Sequence, residues 1–253
     1  MAKIIFESRK KIGSYVNGNY TTTIYNDGTR IRETEEDEFI PAFAENCDIK
    51  ITDSCNMGCS FCHEGSTPDG KHGDILNPKF LSTFHPYQEL AVGGGSVFEH
   101  PDLLPFLENL RKQKVISNIT VHQVHFMQNL ELIKKLQEEK LVYGVGVSVS
   151  ALTEELIKAL KSVPNTVCHV INGIWNDRVA EMMADRGLKV LILGYKELRR
   201  GNDYLETYDS IVNSNKKWLY NNLGSLFKKF RLISFDNLAI EQLNVKRFLT
   251  NEE

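Results

Sequence analysis

The stretch YGVGVSVSALTEELIKALKSVPNTVCHVI, residues 143–171, decides the architecture. Its first seven residues alternate valine with glycine and serine, the mark of a short strand. Thr153 then stands as a cap before TEELIKALK (153–161), whose apolar residues recur three and four apart as on one face of a helix. A second apolar run follows at 166–171. Strand, helix and strand in so short a space imply parallel strands joined by a right-handed crossover.

The same rhythm extends in both directions. Further strands are expected at 48–53, 89–93, 118–124, 188–193 and 230–235, and helices at 101–113, 129–140 and 176–187. Asp102 and Asn176 suit cap or first-turn positions of two of these helices. Six or seven such units point to a barrel or partial barrel, with a doubly wound open sheet as the alternative. Before them, YVNGNYTTTIYNDGTRIRET (15–34) alternates β-branched or aromatic residues with polar ones around Asn17-Gly18 and Asp27-Gly28. Both dipeptides favour hairpin turns, so residues 1–44 read as a β-meander and a charged, solvated linker. The expected division is 1–44 for that extension, 45–237 for the barrel, and 238–253 for a short tail or a truncated end.

Composition narrows the function. Across 253 residues the net charge is −3, with 42% hydrophobic and 25% charged residues, as in soluble proteins without a nucleic-acid or membrane surface. No apolar run is long enough to span a bilayer, and no signal core follows the N-terminus, so a cytoplasmic location is expected. Of five cysteines, Cys55, Cys59 and Cys62 cluster in ITDSCNMGCSFCHEGS (51–66), a C-x3-C-x2-C spacing just after the first strand of the repeat. Such clustering suits metal ligation better than disulfides. Soft thiolates on a short loop fit an iron–sulfur cluster, and three thiolates for four irons leave one iron open to a ligand. The alternative is a structural zinc completed by His63 or Cys47. Cys47 and Cys168 otherwise read as small buried apolar residues.

The cysteine spacing, Phe61 before the third cysteine and Asn56 after the first resemble the radical S-adenosylmethionine (SAM) superfamily over about residues 45–237. The resemblance implies a partial (β/α)6-type barrel with an N-terminal β-hairpin or meander extension. It implies a [4Fe-4S] cluster on Cys55, Cys59 and Cys62, and SAM cleaved reductively to a 5′-deoxyadenosyl radical. Phe61 is the expected adenine contact. Gly93, Gly94 and Gly95 resemble the family's Gly-Gly-Glu segment that meets the SAM amino group, with Ser96 in place of the glutamate. Ser148 and Ser150 correspond to a Ser-x-Asp pattern near the ribose or carboxylate, and Asn172 to a polar position used against SAM. Gly194 and Tyr195 fall where a backbone segment faces the adenine. Each segment also has a plainer reading: a tight glycine loop, a helix cap at the serines, a turn at Asn172-Gly173.

His63, Glu64 and Lys196 are the candidate catalytic groups, with Lys71, His72, His122, Gln123, His125, Arg199 and Arg200 as further candidates for substrate contact. Alternation along the third strand of the repeat puts Gln123 opposite His122. The expected partners are a flavodoxin- or ferredoxin-like electron donor and a small-molecule, nucleotide or peptide substrate, a peptide using the N-terminal meander as its docking surface. Rival readings are a zinc-stabilised binding module and a cluster protein that binds SAM without turnover.

Overall fold

The computed structural model describes residues 10–25 and 29–249. Strands β1 (Lys11–Asn17), β2 (Tyr20–Tyr25) and β3 (Arg30–Glu33) form an antiparallel sheet in that order. Asn17 pairs with Tyr20, so the tight loop is Gly18–Asn19, one residue beyond the expected Asn17-Gly18. Asn17 is displaced from the turn because its side chain is fully used. It accepts from the Ala42 and Phe43 amides at 2.8 and 3.0 Å and donates to the Phe43 carbonyl at 2.9 Å. The Asp27-Gly28 turn lies outside the described residues.

The second sheet has seven parallel strands: β4 (Asn46–Thr52), β5 (Glu89–Gly94), β6 (Ile116–His122), β7 (Gly144–Ser148), β8 (Thr166–Ile171), β9 (Lys189–Leu193) and β10 (Leu232–Phe235). Neighbours in space are neighbours in sequence from one edge to the other. A doubly wound sheet reverses direction at a switch point, so the alternative falls and a partial barrel remains. Between the strands lie α1 (Pro78–Leu81), α2 (Leu103–Lys112), α3 (Gln123–Gln128), α4 (Leu130–Glu138), α5 (Glu154–Ser162), α6 (Asp177–Met183) and α7 (Arg200–Leu226), with α8 (Asn237–Gln242) after β10. Thr153 and Asn176 cap α5 and α6 by accepting from the Leu156 and Val179 amides. Asp102 occupies the cap position of α2 without a side-chain cap bond.

Alternation along the strands separates two faces. Leu90, Val92, Ile119, Val121, Val145, Val147, Cys168, Val170, Val190 and Ile192 face the helices and are buried against residues such as Phe106, Leu110, Ile133, Leu160 and Met183. Burying each such side chain contributes about 1.5–3 kcal/mol. The other face is concave: smaller or polar groups predominate over β5 to β7, and Ile171, Leu191 and Leu193 join them over β8 and β9. Thr120 lies beside Gly93, and the His169 ring lies so close to Gly146 that a Cβ there would meet it at 2.3 Å. The row His122–Ser148–His169 crosses three adjacent strands on this face.

The N-terminal sheet rides on the rim where β4 and β5 begin. Buried Glu45 accepts from Tyr15 (3.0 Å), Thr22 (2.8 Å) and Arg32, and Arg30 pairs with Glu89 at 2.6 Å. That rim is opposite the one where the cysteine loop emerges. A peptide docked on the meander would therefore sit at the far end of the barrel from the cysteines. No helix among the described residues is long and apolar enough to cross a membrane.

Candidate cluster and cofactor site

Beyond Thr52 the chain leaves the barrel as a loop that folds back along its own stem. Asp53 donates to Lys71 and Gly73 to Ile51, both at 2.8 Å, while the Cys55 amide donates to Thr67 at 2.9 Å. The glycine segment follows β5 into this stem. Gly95 and Ser96 donate to the Thr52 and Ser54 carbonyls at 2.7 Å, so the parallel pairing outlasts both strands. This approach demands glycine: a Cβ on Gly95 would sit 2.1 Å from the Ser54 oxygen, and Gly94 has φ +116°. Ser96 is buried, and both amides are committed to the stem.

The three candidate ligands are partly exposed and differ in electrostatics. Burial pushes the Cys55 and Cys59 thiols up. Burial pushes Cys62 up as well, but the Ser66 amide, the Arg200 side chain and the Glu64 and Gly65 amides together bring it below its ordinary value. Gly65 turns at φ +66°, which lets successive N–H groups converge as an anion nest. Among the described residues, no three His, Cys, Asp or Glu side chains converge to hold a single metal ion. A cluster asks for less, one thiolate on each of three irons, and the N–H and guanidinium donors around Cys62 fit a cluster-bound thiolate. Cys47 accepts from Gln88 at the opening of β4, and Cys168 is buried with its thiol pushed up to about 12.

Charged groups surround the loop. Lys50 bridges Asp53 (2.5 Å) and Glu64 (2.9 Å), and His63 contacts Glu64 at 3.2 Å. Burial and the Lys196 cation hold His63 below its ordinary pKa. Burial raises Glu64, but the Lys50 hydrogen bond and the neighbouring cations bring it below the usual carboxylate value.

Beside this network a cleft is lined by Phe61, His63, Ile171, Leu193, Gly194, Tyr195 and Lys196. Segments more than a hundred residues apart thus bring Phe61 to Gly194 and Tyr195. A set of hydrogen bonds fixes the cleft's back wall. Gln242 Oε1 accepts from the Tyr195 amide and from Asn172 Nδ2, both at 2.9 Å, and its Nε2 donates to the Tyr195 carbonyl. Asp236 accepts from the Gly194 amide at 2.9 Å. Asn172 is buried, and its Oδ1 has no hydrogen-bond partner.

The other candidates are more scattered. Ser148 lies on the concave face between His122 and His169, whereas Ser150 is exposed. The expected strand through residue 124 stops at His122, which caps α3, so alternation does not govern Gln123. Gln123 accepts from the Ser150 and Ala151 amides. His72 bonds Thr52 in the stem, and His125 bonds Asn56 in the cysteine loop.

Glu99 escaped the sequence reading. A 3-10 turn at Val97–Glu99 carries it over Ser96, because residues three apart eclipse in such a turn. Its carboxylate accepts from the Ser54 hydroxyl and acts electrostatically on Cys55 and His125. An acid four residues past the glycine run was the available signal. Gln242 gave none, since its role depends on α8 packing back onto β9.

No protein-family model matches the sequence. A probable GTP 3′,8-cyclase of Methanocaldococcus jannaschii is 28% identical over 134 residues, covering 50% of this chain and 43% of that protein. Streptococcus suis SuiB bound to precursor peptide SuiA shares the fold with a TM-score of 0.52 at 14% identity, over 85% of this chain and 53% of that one. SuiB bound to S-adenosylmethionine gives 0.47 at 14% identity, over 79% and 49%. The chain therefore spans about half the length of these proteins. The likeness to the cyclase in sequence and to SuiB in fold supports the radical SAM resemblance carried by the three-cysteine loop that opens from the first barrel strand.

Proposed function

We propose that this chain is a radical SAM enzyme in which Cys55, Cys59 and Cys62 hold a [4Fe-4S] cluster beside a SAM site. The observation that carries the reading is the meeting of Phe61, from the cysteine loop, with Gly194 and Tyr195 in one cleft. When bound, the cluster supplies the electron that cleaves SAM to methionine and a 5′-deoxyadenosyl radical. The chain's own residues bind and orient. The N–H nest and Arg200 bring the Cys62 thiol below its ordinary pKa. Phe61 and the 193–195 segment give the adenine an apolar slot whose back wall Gln242 and Asp236 keep rigid. Asn172 offers a buried, unsatisfied acceptor beside it. Glu99 supplies the carboxylate for the SAM ammonium that Ser96 cannot, a charge-assisted contact in place of a neutral one. Gly93, Gly94 and Gly95 bring that turn to the stem, and Ser148 faces the concave side near the ribose or carboxylate, with Ser150 at the rim.

The substrate enters over the concave face, where His122, His169 and Thr120 offer hydrogen bonds. His63, Glu64 and Lys196 stand at the mouth as proton-handling candidates. Small metabolites, nucleotides and peptides are all in scope. A flavodoxin- or ferredoxin-like protein in the cytoplasm would deliver the electron.

The test does not need the substrate. Dithionite-reduced, reconstituted protein should convert SAM slowly to 5′-deoxyadenosine and methionine, and the Cys55/Cys59/Cys62 triple alanine variant should not. A fully loaded cluster with measurable SAM binding but no 5′-deoxyadenosine would overturn the enzymatic reading in favour of a non-catalytic binder.

A further inference from the structure

Helix α7 begins at Arg200, and its first turn abuts the cysteine loop. A Cβ on Gly201 would lie 3.6 Å from the Phe61 carbonyl, and Arg199 reaches the Glu64 carbonyl. Arg200 goes further in. Its guanidinium donates to the Ser66 carbonyl at 2.8 Å, while its buried Nε has no hydrogen-bond partner. Anchoring the loop through Ser66 would occupy only part of that fork. The Gly65 amide donates to the Cys62 carbonyl at 3.2 Å, so the turn that leads to Ser66 closes back on Cys62 and holds the same guanidinium beside the cysteine loop. The carboxylates nearby are engaged elsewhere: Glu64 with Lys50, and Glu99 with Ser54. No carboxylate is paired with Arg200 among the described residues.

We infer that Arg200 is a positioning residue that sets the reduction potential of the cluster, acting through Cys62 and the shared charge of the three thiolates. Reduction adds one negative charge to a cluster already anionic through its sulfurs. A fixed cation held beside that charge stabilises the reduced form more than the oxidised one and raises the potential. Hydrogen bonds to the ligand sulfur act in the same direction. The inference rests on the cluster assignment made above.

The experiment is a redox titration of the full chain, reconstituted with iron and sulfide and followed by electron paramagnetic resonance. Arg200→Met removes charge and hydrogen bonds, Arg200→Gln removes only charge, and Arg200→Lys keeps the charge. At the wild-type midpoint, the Met and Gln variants should show about a tenfold lower ratio of reduced to oxidised cluster, or about 59 mV for a one-electron couple. The Lys variant should stay close to wild type. Met and Gln variants that titrate with wild type overturn the inference. So does loss of iron from both with the circular dichroism spectrum unchanged, which would make Arg200 only an anchor for the loop. A wild-type protein that takes up no cluster fails the assignment beneath, and is told apart because it fails before any variant is compared.

Discussion

Cys62 shows how much a single side chain depends on its surroundings. Burial alone would push its thiol pKa up, and three amides with one guanidinium outweigh that and bring it below its ordinary value. Because the three cysteines act as a set, replacing Cys55, Cys59 or Cys62 with alanine should each remove the cluster, whereas Cys47→Ala and Cys168→Ala should retain it. Iron and sulfide analysis decides this, and full loading of Cys59→Ala would sink the assignment. Glu99 makes a second residue-scale prediction. Glu99→Gln should weaken SAM binding about tenfold by calorimetry, as loss of a charged hydrogen bond does, while Ser96→Ala should change it little. Equal affinities for Glu99→Gln and wild type would remove Glu99 from the site. His169 reports on pH. Burial pushes its pKa down to about 4, so the folded protein binds fewer protons than the unfolded chain between pH 4 and the ordinary value of 6.5. Its contribution is intact above pH 6.5 and falls by about 1.4 kcal/mol per pH unit as pH drops towards 4. His63, His122 and His125 are shifted the same way, so His169→Gln should flatten part, not all, of the acid limb in urea denaturation. The cysteines stood out in the sequence by their spacing, and Phe61 by the family resemblance. Glu99 did not, since only the 3-10 turn brings it over Ser96.

Elements differ in how openly their sequence announces them. The strands of the parallel sheet were readable because β4 to β7 alternate apolar residues towards the helices with mostly small or polar ones towards the concave face, while β8 and β9 are short, mostly apolar runs. Helix α7 was not. Its buried residues after the first turn are Val212, Leu219, Leu223 and Leu226, too sparse to make a continuous apolar stripe, and the helix breaks its geometry at Tyr208. Short α3 was missed, its first two residues read as the end of a strand and the rest left between the expected elements. The pairing of β4 with the glycine segment is the element on which the site's shape depends. Gly95→Ala would drive a Cβ against the Ser54 carbonyl, and Gly94→Val would add a side chain at φ +116° against Thr52. Both should destabilise the fold by on the order of 2 kcal/mol, measured by urea denaturation of the apo-protein. Lowered SAM affinity in Gly94→Val therefore speaks to the site only if apo stability is unchanged, and unchanged stability in both variants would refute the close pairing.

At the scale of the molecule, the two sheets meet around Glu45, with the Arg30–Glu89 pair and the stacking of Tyr15 on Tyr87 beside it. Glu45 precedes β4 and takes hydrogen bonds from Tyr15 and Thr22 and the guanidinium of Arg32. Burial raises its pKa, but these three partners outweigh burial and hold it below 4.5. The Tyr15 hydroxyl, pushed up to about 12 by burial and by Glu45, stays a donor at any physiological pH. A carboxylate whose folded pKa is depressed stabilises fully above its unfolded value, and that contribution disappears as pH falls through the folded value. Docking of the N-terminal sheet should thus weaken below about pH 4.5 while the barrel's apolar core, which carries no such charge, persists. Glu45→Ala should produce the same release at neutral pH, because it strands Arg32 and two hydroxyls without their acceptor. Breaking a buried pair in this way costs about 3–5 kcal/mol. Limited proteolysis offers the measurement: the variant should be cut between residues 1 and 44 well before the barrel is attacked, and wild type should match it only in acid. Digestion of both regions at one rate in Glu45→Ala would show that the clamp is not what joins them.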